Sequence, residues 1–566
     1  MADPISIKTM LLRSVEQYAN RTVFRYKVKG TWKEISYEDF YRRVRQVSQI
    51  LAQHDIQPGN RVALFRENSP QWAEIYFGIV STGAIAVPID AKLKPKEVGH
   101  ILKDAGATVL FTEDAKYPTI REVLYDIPGL DTVYVQGGKD ADQTAGKAYL
   151  DYESAMEEVL EASQAEDAFF TKHDPQPDDT ASFIYTSGTT GRPKGAMLSH
   201  WNFMSNATGV IEASPFYPED NYLLVLPLHH SFAFTGNLML PILTGASISC
   251  VESLRTIGEN VREVSPTILI AVPLLLDKMY GRIMGNLKKN KLGHTLFRLG
   301  IRKPVVKKIR EGLGGKIRLS VTGAAPCDSD LIRGFAQLGV EVVEGYGLTE
   351  TAPVLCVVRP GEPAPGTVGP PLPGVEIKIR NPNEEGIGEI TARGPNIMQG
   401  YYNNPEATAE VMDGDWFLTG DLGRLDKMNR LTITGRKKSL IVNREGKNIY
   451  PEEVELCLNT SEWVLESLVL GYQEASDKVG ERVGVIIVPD QDRIDKEKRT
   501  TGVAMSEEDI EKKIKAEIKE VSSGLSDYKR PRQIQIRLEE FEKTSTQKVK
   551  RYLYAMNQLS VDDTMK

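Results

Sequence analysis

The sequence predicts an α/β fold with a large N-terminal domain of parallel and mixed sheets and helices, followed by a smaller α+β C-terminal domain. Two observations carry this. Between Tyr37 and Thr112 helical patterns alternate with short apolar runs, and the alternation returns after residue 195. From about Leu431 the texture changes to paired short strands and a strand-and-helix mix. In the first region YEDFYRRVRQVSQILAQ reads as helix, RVALFR as strand, WAEIYFGIVSTGA as helix, AIAVPID as strand, KEVGHILKDAG as helix and ATVLFT as strand. Helices and buried strands trading places in this way build a largely parallel sheet. LLVLPL, SISCVES and TILIAVP continue the strands, and SPFYPEDN and EGLGGK read as connections. Beyond the change of texture, ESLVLGYQE, RVGVIIVPD and EEDIEKKIKAEIKEVSSGL give the smaller domain. We expect residues 1–434 to form the first domain, 435–438 a hinge and 439–566 the second.

A chain of 566 residues exceeds what one core supports, which agrees with more than one structural unit. Its 41% hydrophobic and 26% charged content is ordinary for a globular protein, and a net charge of −7 gives no reason to expect nucleic acid as a partner. Cys250, Cys327, Cys356 and Cys457 are too scattered for a metal cluster or disulfide framework, so a reducing cytosol is expected. The N-terminal stretch lacks a sustained apolar segment, and no run reaches the roughly 20 apolar residues of a membrane span. Peripheral membrane contact stays open.

The stretch YTSGTTGRPKG, residues 185–195, concentrates hydroxyls, glycines and one lysine. Gly188, Gly191 and Gly195 let backbone turn and approach a ligand; Thr186, Ser187, Thr189 and Thr190 add hydroxyl donors, and Lys194 a compact cation. That chemistry suits an anion cradle. The pattern is not GxxxxGK[ST], because Lys194 follows Pro193 and precedes Gly195. A polar surface loop is the plain alternative.

Further stretches converge on the same chemistry. In VTGAAPC, Gly323, Ala324 and Ala325 leave room for a slender ligand beside backbone. EGYGLTE sets Tyr346 between glycines, the second being Gly347, and ends in Thr349 and Glu350. A ring can lie against a base, a hydroxyl can meet a phosphate, and a carboxylate suits Mg²⁺. In DWFLTGDLGRL, Asp421 is placed to accept from ribose hydroxyls. Each of these alone is equally a structural turn. One region differs in charge: Arg282–Arg318 holds twelve Lys/Arg and a single acid, Glu311. It reads either as a solvated helical surface or as a surface drawn to an anionic membrane or a phosphate-bearing ligand.

Taken in order, IYTSGTTGRPKGAMLSH, LPLHHSFAFTGN, VTGAAP, YGLTE, LTGD, GRKKSLI and KTSTQKVKR resemble the motifs of the adenylate-forming superfamily of acyl-CoA synthetases, luciferases and peptide-synthetase adenylation domains. The resemblance runs from about residue 10 to about residue 555. It implies a two-step reaction, in which a carboxylate displaces pyrophosphate from ATP and a thiol then displaces AMP, with Mg²⁺ as cofactor and ATP and CoA as co-substrates. By motif position the 186–194 loop would cradle the β and γ phosphates, with Gly323 and Ala324 beside the nucleotide. Tyr346 would stack on adenine, Thr349 would meet the α-phosphate, Glu350 would bind Mg²⁺, and Asp421 with Arg436 would hold the ribose. Lys548 would reach the reacting carboxylate and α-phosphate. His230 rather than His229 would lie near the acyl and thiol pockets. The C-terminal domain would swing about Lys438, bringing Gly446, Lys447 and Asn448 to the thiol. The chain departs from the family pattern at Gln547, where a glycine is usual, and at Ser439, where many members carry an acid.

The segments Phe232–Gly236, AVPLLLDKM (271–279) and Gly323–Ala325 are apolar or small, which favours a hydrophobic monocarboxylate at about 0.8 kcal/mol per buried methylene. The motifs look most like bacterial long-chain fatty acyl-CoA ligases. Medium-chain, aromatic or alicyclic acids, a carrier-protein acceptor, and a catalytically silent nucleotide-binding protein are the alternatives. A cytoplasmic enzyme, either monomeric or homodimeric, is the expected setting, with peripheral contact at the inner face of a membrane left open.

Overall fold

The computed structural model describes residues 3–137, 148–162, 168–186, 193–299, 301–473, 480–544 and 549–554. The chain divides into two compact units: Met1–Ile377 with Ala392–Phe417 and Met428–Arg430, and Lys378–Thr391 with Leu418–Lys427 and Leu431–Lys566. The last crossing, between Arg430 and Leu431, falls shortly before the hinge expected at 435–438.

Local sequence sets the helices of the first unit. Ser36 caps Tyr37–Ala52 by accepting from the Asp39 N–H, and Ser69 caps Pro70–Ser81, where proline occupies the first turn. Ser199 and Asn202 form a reciprocal capping box on His200–Ala213. Pro95–Ala105 stops at Gly106, which is left-handed at φ 61°.

Among the described residues the first unit holds two eight-stranded sheets. In one, the strands run in the order Val354–Val357, Glu341–Gly347, Leu319–Thr322, Ile268–Ala271, Asn221–Leu224, Ser247–Cys250, Thr22–Val28 and Thr31–Ser36. Its interior pairs are parallel, and the two edge strands are antiparallel. In the other, Arg61–Phe65, Ile85–Ile89, Val109–Glu113, Thr132–Gln136 and Ala148–Asp151 pair in parallel. Thr180–Thr186 joins beside Ile85–Ile89, and Lys194–Ser199 pairs antiparallel with it. The apolar runs RVALF and IAVPI are almost wholly buried, as interior parallel strands covered on both faces must be. Residues of both sheets, including Leu64, Ala86, Leu224, Ile270 and Val343, share one core with Val44, Trp72, Phe77 and Phe203 of the intervening helices.

In the second unit Val464–Tyr472 pairs antiparallel with Arg482–Pro489, which pairs in parallel with Gln533–Ile536. Helices Pro451–Leu458 and Glu507–Val521 pack on this sheet through Val454, Leu458, Ile514 and Ile518, against Val469, Val485 and Ile487. Strand Leu431–Arg436 pairs antiparallel with Trp416–Leu425. No helix among the described residues is long and apolar enough to cross a membrane.

Candidate active site

Four parallel strands of the first unit, Asn221–Leu224, Ile268–Ala271, Leu319–Thr322 and Glu341–Gly347, deliver candidate residues just beyond their C-terminal ends. Open α/β sheets bind ligands at this end. Gly323 and Ala324 follow Leu319–Thr322, which pairs in parallel with the strand carrying Tyr346 and Gly347. A Cβ on Gly323 would lie 2.9 Å from the Gly345 carbonyl, and one on Gly347 only 1.7 Å from the Pro353 carbonyl. Both positions therefore require glycine. Ala324 takes φ 68°, a left-handed turn that is uncommon for a residue with a side chain.

Thr349 and Glu350 lie in the short 3₁₀ turn Thr349–Thr351. The Tyr401 hydroxyl donates to Glu350 Oε1 at 2.7 Å, and the Lys194 ammonium stands 5.3 Å from the centre of the Tyr401 ring. Backbone pairing explains the meeting: Gly400–Tyr401 runs antiparallel to Lys194–Ser199, with Tyr401 opposite Ala196, and the Met398 N–H donates to the Glu350 carbonyl at 2.8 Å. Lys194 and Glu350 are thus gathered around one tyrosine. Thr186 is the register partner of Lys194. Ser187, Gly188, Thr189, Thr190 and Gly191 of the expected cradle lie outside the described residues, as do Gln547 and Lys548.

His229 and His230 part in environment. His229 is buried, with Nε2 3.5 Å from Asp90 Oδ2, whereas His230 is half-buried ahead of the short helix Ser231–Ala233. The Ser231 hydroxyl is 3.5 Å from that of Thr349. Apolar neighbours close around two of these segments: Phe232 lies 3.6 Å from a Cβ placed on Gly323, and Ile270 lies 2.7 Å from one placed on Gly236. Gly236 belongs to the buried π-helical stretch Phe234–Met239, a geometry frequent at functional sites.

Glu344, on the same strand as Tyr346, has its carboxyl pushed up to about 7 by burial, partly offset by the Cys327 N–H. The Cys327 thiol is pushed up to about 12, first by burial and then by the nearby Glu344 charge.

In the second unit Asp421 and Arg436 are register partners across antiparallel strands, with Arg436 Nε donating to Asp421 Oδ1 at 2.8 Å. Asp421 is buried and its N–H donates to the Thr419 hydroxyl. Lys438 is exposed in the 3₁₀ turn Lys437–Ser439. Gly446, at φ 74°, Lys447 and Asn448 form the turn and return of a small hairpin, where the Lys447 ammonium is 2.8 Å from Glu445 and 4.8 Å from the Tyr528 ring centre.

Tyr401 escaped the sequence reading. Its signal was present in QGYYNNPE, where tyrosines stand between a glycine and a helix-starting Asn-Pro, but no single-sequence pattern says that this strand will pair beside Lys194.

As an oxygen donor braced by a hydroxyl, Glu350 fits a hard divalent cation such as Mg²⁺.

The chain resembles long-chain-fatty-acid–CoA ligase FadD15 of Mycobacterium bovis, at 28% identity over 97% of this chain and 95% of that protein. It resembles human long-chain-fatty-acid–CoA ligase 1 at 31% identity, over 76% of this chain and 67% of that protein. The fold matches ATP-bound MatB from Rhodopseudomonas palustris, with a TM-score of 0.75 and 26% identity over 96% of this chain and 98% of that one. The anthranilate CoA ligase AuaEII matches with a TM-score of 0.77 at 24% identity, over 98% of this chain and 97% of that one. The family model of the AMP-binding enzyme matches residues 11–402, and the chain belongs to that family.

Proposed function

We propose that the protein is an AMP-forming acid–thiol ligase that activates a long-chain fatty carboxylate as its acyl-adenylate and passes the acyl group to CoA. The observation that carries this is the gathering of Lys194 and Glu350 around Tyr401 at the C-terminal strand ends, in an AMP-binding enzyme whose relatives over nearly the whole chain include long-chain-fatty-acid–CoA ligases. The meeting of Phe232 with Gly323 and of Gly236 with Ile270 supports an apolar acid.

In the first step a carboxylate oxygen attacks the α-phosphorus of ATP, the bond to the bridging oxygen breaks, and pyrophosphate leaves. In the second the CoA thiolate attacks the acyl carbon, and AMP departs with the former carboxylate oxygen. Thr186, Ser187, Gly188, Thr189, Thr190, Gly191 and Lys194 hold the β and γ phosphates. Tyr346 stacks on adenine, with Gly323, Ala324 and Gly347 admitting the nucleotide close to backbone. Thr349 donates to the α-phosphate, and Asp421, its plane fixed by Arg436, accepts from the ribose. Glu350 holds Mg²⁺, which when bound neutralises phosphate charge. Lys548 places a cation where negative charge concentrates in the transition state, an effect worth several kcal/mol. His230 faces the acyl and thiol region. Lys438 is the hinge, and Gly446, Lys447 and Asn448 meet CoA. The setting is cytoplasmic, at the inner face of a membrane.

The test is pyrophosphate release from MgATP with carboxylates from acetate to palmitate and with benzoate, each with and without CoA. A CoA-stimulated optimum among long chains is expected. Lys548→Ala should abolish adenylation yet still convert a supplied acyl-AMP to the thioester. Failure of every acid to release pyrophosphate would sink the proposal.

A further inference from the structure

The basic region announced by the sequence carries exposed apolar side chains. Helix Lys291–Arg298 buries none of its residues, and Leu292, Leu299 and Ile301 are 71%, 70% and 52% exposed. Around them stand Lys288 and Lys289 in the last turn of helix Pro273–Lys289, then Lys291, Arg298, Arg302 and Lys303, all exposed. Arg302 lies 5.2 Å from the Phe297 ring centre. Among the described residues Lys288, Lys289, Lys291, Arg298 and Lys303 make no ion pair. Between Arg282 and Arg310 the chain carries no acid, whereas Lys27 lies between Glu252 and Glu263, and Arg318 meets Asp220 at 2.6 Å. In a chain of net charge −7, a cationic surface without partners and crowned by leucines needs an anionic, apolar counterpart.

We infer that this exposed stretch, residues 288–299 and 301–303, docks on a bilayer bearing anionic phospholipid headgroups. Exposed apolar side chains enter the boundary between headgroups and acyl chains, while cations around them pair with phosphate. Lysine and arginine stems are long enough to lie along apolar surface with their charges at headgroup level. A protein partner would require a shaped apolar pocket for three separate side chains; a bilayer accepts them without one. The docking stands independently of the ligase reading, but its consequence rests on it. Helix Pro273–Lys289, about 25 Å long at 1.5 Å per residue, begins in the apolar segment 271–279, where Leu276 is buried, and ends at the exposed cations Lys288 and Lys289. The surface would then hold the enzyme where a long-chain acid is dissolved.

The experiment floats the full-length chain, without ATP or CoA, with vesicles of phosphatidylcholine alone or mixed with phosphatidylglycerol. Binding to the mixed vesicles only, weakened by salt, is expected. Lys288→Gln with Lys289→Gln should lower partition about 25-fold, from roughly fivefold per neutralised cation. Leu292→Asp with Leu299→Asp should remove most of what remains. Both variants should keep the parent melting temperature and, in vesicle-free solution, the parent rate with a water-soluble short-chain acid, so that loss of docking is separate from loss of catalysis. Equal binding to both vesicle types, no binding to either, binding indifferent to the substitutions, or capture by an acidic protein in place of vesicles would overturn the inference.

Discussion

Asp421 and its partner Arg436 apart, the candidate residues of the two units are held in contrasting ways. In the first unit Gly323, Tyr346, Gly347 and Glu350 stand on or just past buried parallel strands, and backbone or side-chain neighbours constrain them closely. In the second unit Lys438, Gly446 and Lys447 occupy exposed turns, and a Cβ placed on Gly446 would meet nothing within 4 Å. Rigid strand ends place groups to within the tolerance that charge stabilisation requires, whereas surface turns leave their groups able to adapt. The difference predicts that substitutions in the first set disturb folding and chemistry together, and that those in the second disturb one half-reaction alone.

The largest effect should come from Gly347→Ala, because its Cβ would lie 1.7 Å from a backbone carbonyl that cannot step aside. Destabilisation of about 4 kcal/mol or more is expected, read as loss of soluble protein or a collapse in the melting temperature. A variant that melts like the parent would show that the strand end yields.

Glu344 should give the next effect, and its sign is fixed. Its folded pKa, about 7, exceeds the ordinary value of 4.5, so between these values the native state keeps a proton that the unfolded state has released. The contribution is fully present at lower pH and is lost as pH rises through about 7. Glu344→Gln should therefore gain on the parent across that window in denaturant titrations at stepped pH; a constant difference would contradict it.

Tyr401→Phe removes the hydroxyl on Glu350 but keeps the ring beside Lys194. A net loss of about 1 kcal/mol, some fivefold in kcat/KM for ATP, is expected, with little change in melting. The smallest effect on the fold belongs to Lys447→Ala, whose ion pair with Glu445 is exposed and screened by solvent. Its adenylation rate should match the parent while thioester formation slows. Slowing of both steps would erase the contrast between the units.

Much of this arrangement was legible in advance. The alternation of RVALFR, AIAVPID and ATVLFT with helical stretches gave the parallel sheet, since buried strands and amphipathic helices differ in apolar period. Asp421 and Arg436 were both singled out, but their direct opposition depends on a register shift between Leu422 and Gly423 that spacing alone does not reveal. Tyr401 was invisible for the same reason: its role comes from pairing with a strand some 200 positions earlier. Long-range register is set by the whole sheet, so it leaves little trace in any one stretch.

The core that residues of both sheets of the first unit share has a thermodynamic consequence. Trp72, stacked on Tyr76 at 5.4 Å, and Phe234, 4.5 Å from Tyr76, link helix Pro70–Ser81 to the π-helical stretch that also bears Gly236. Loosening that aromatic cluster would loosen both sheets at once. Each sheet also packs a cluster of its own, around Val87, Leu110 and Val133 in one and around Leu223, Leu269 and Val342 in the other, so a cavity cut into the shared core should weaken both sheets, whereas one cut into an outer cluster should weaken its own sheet first.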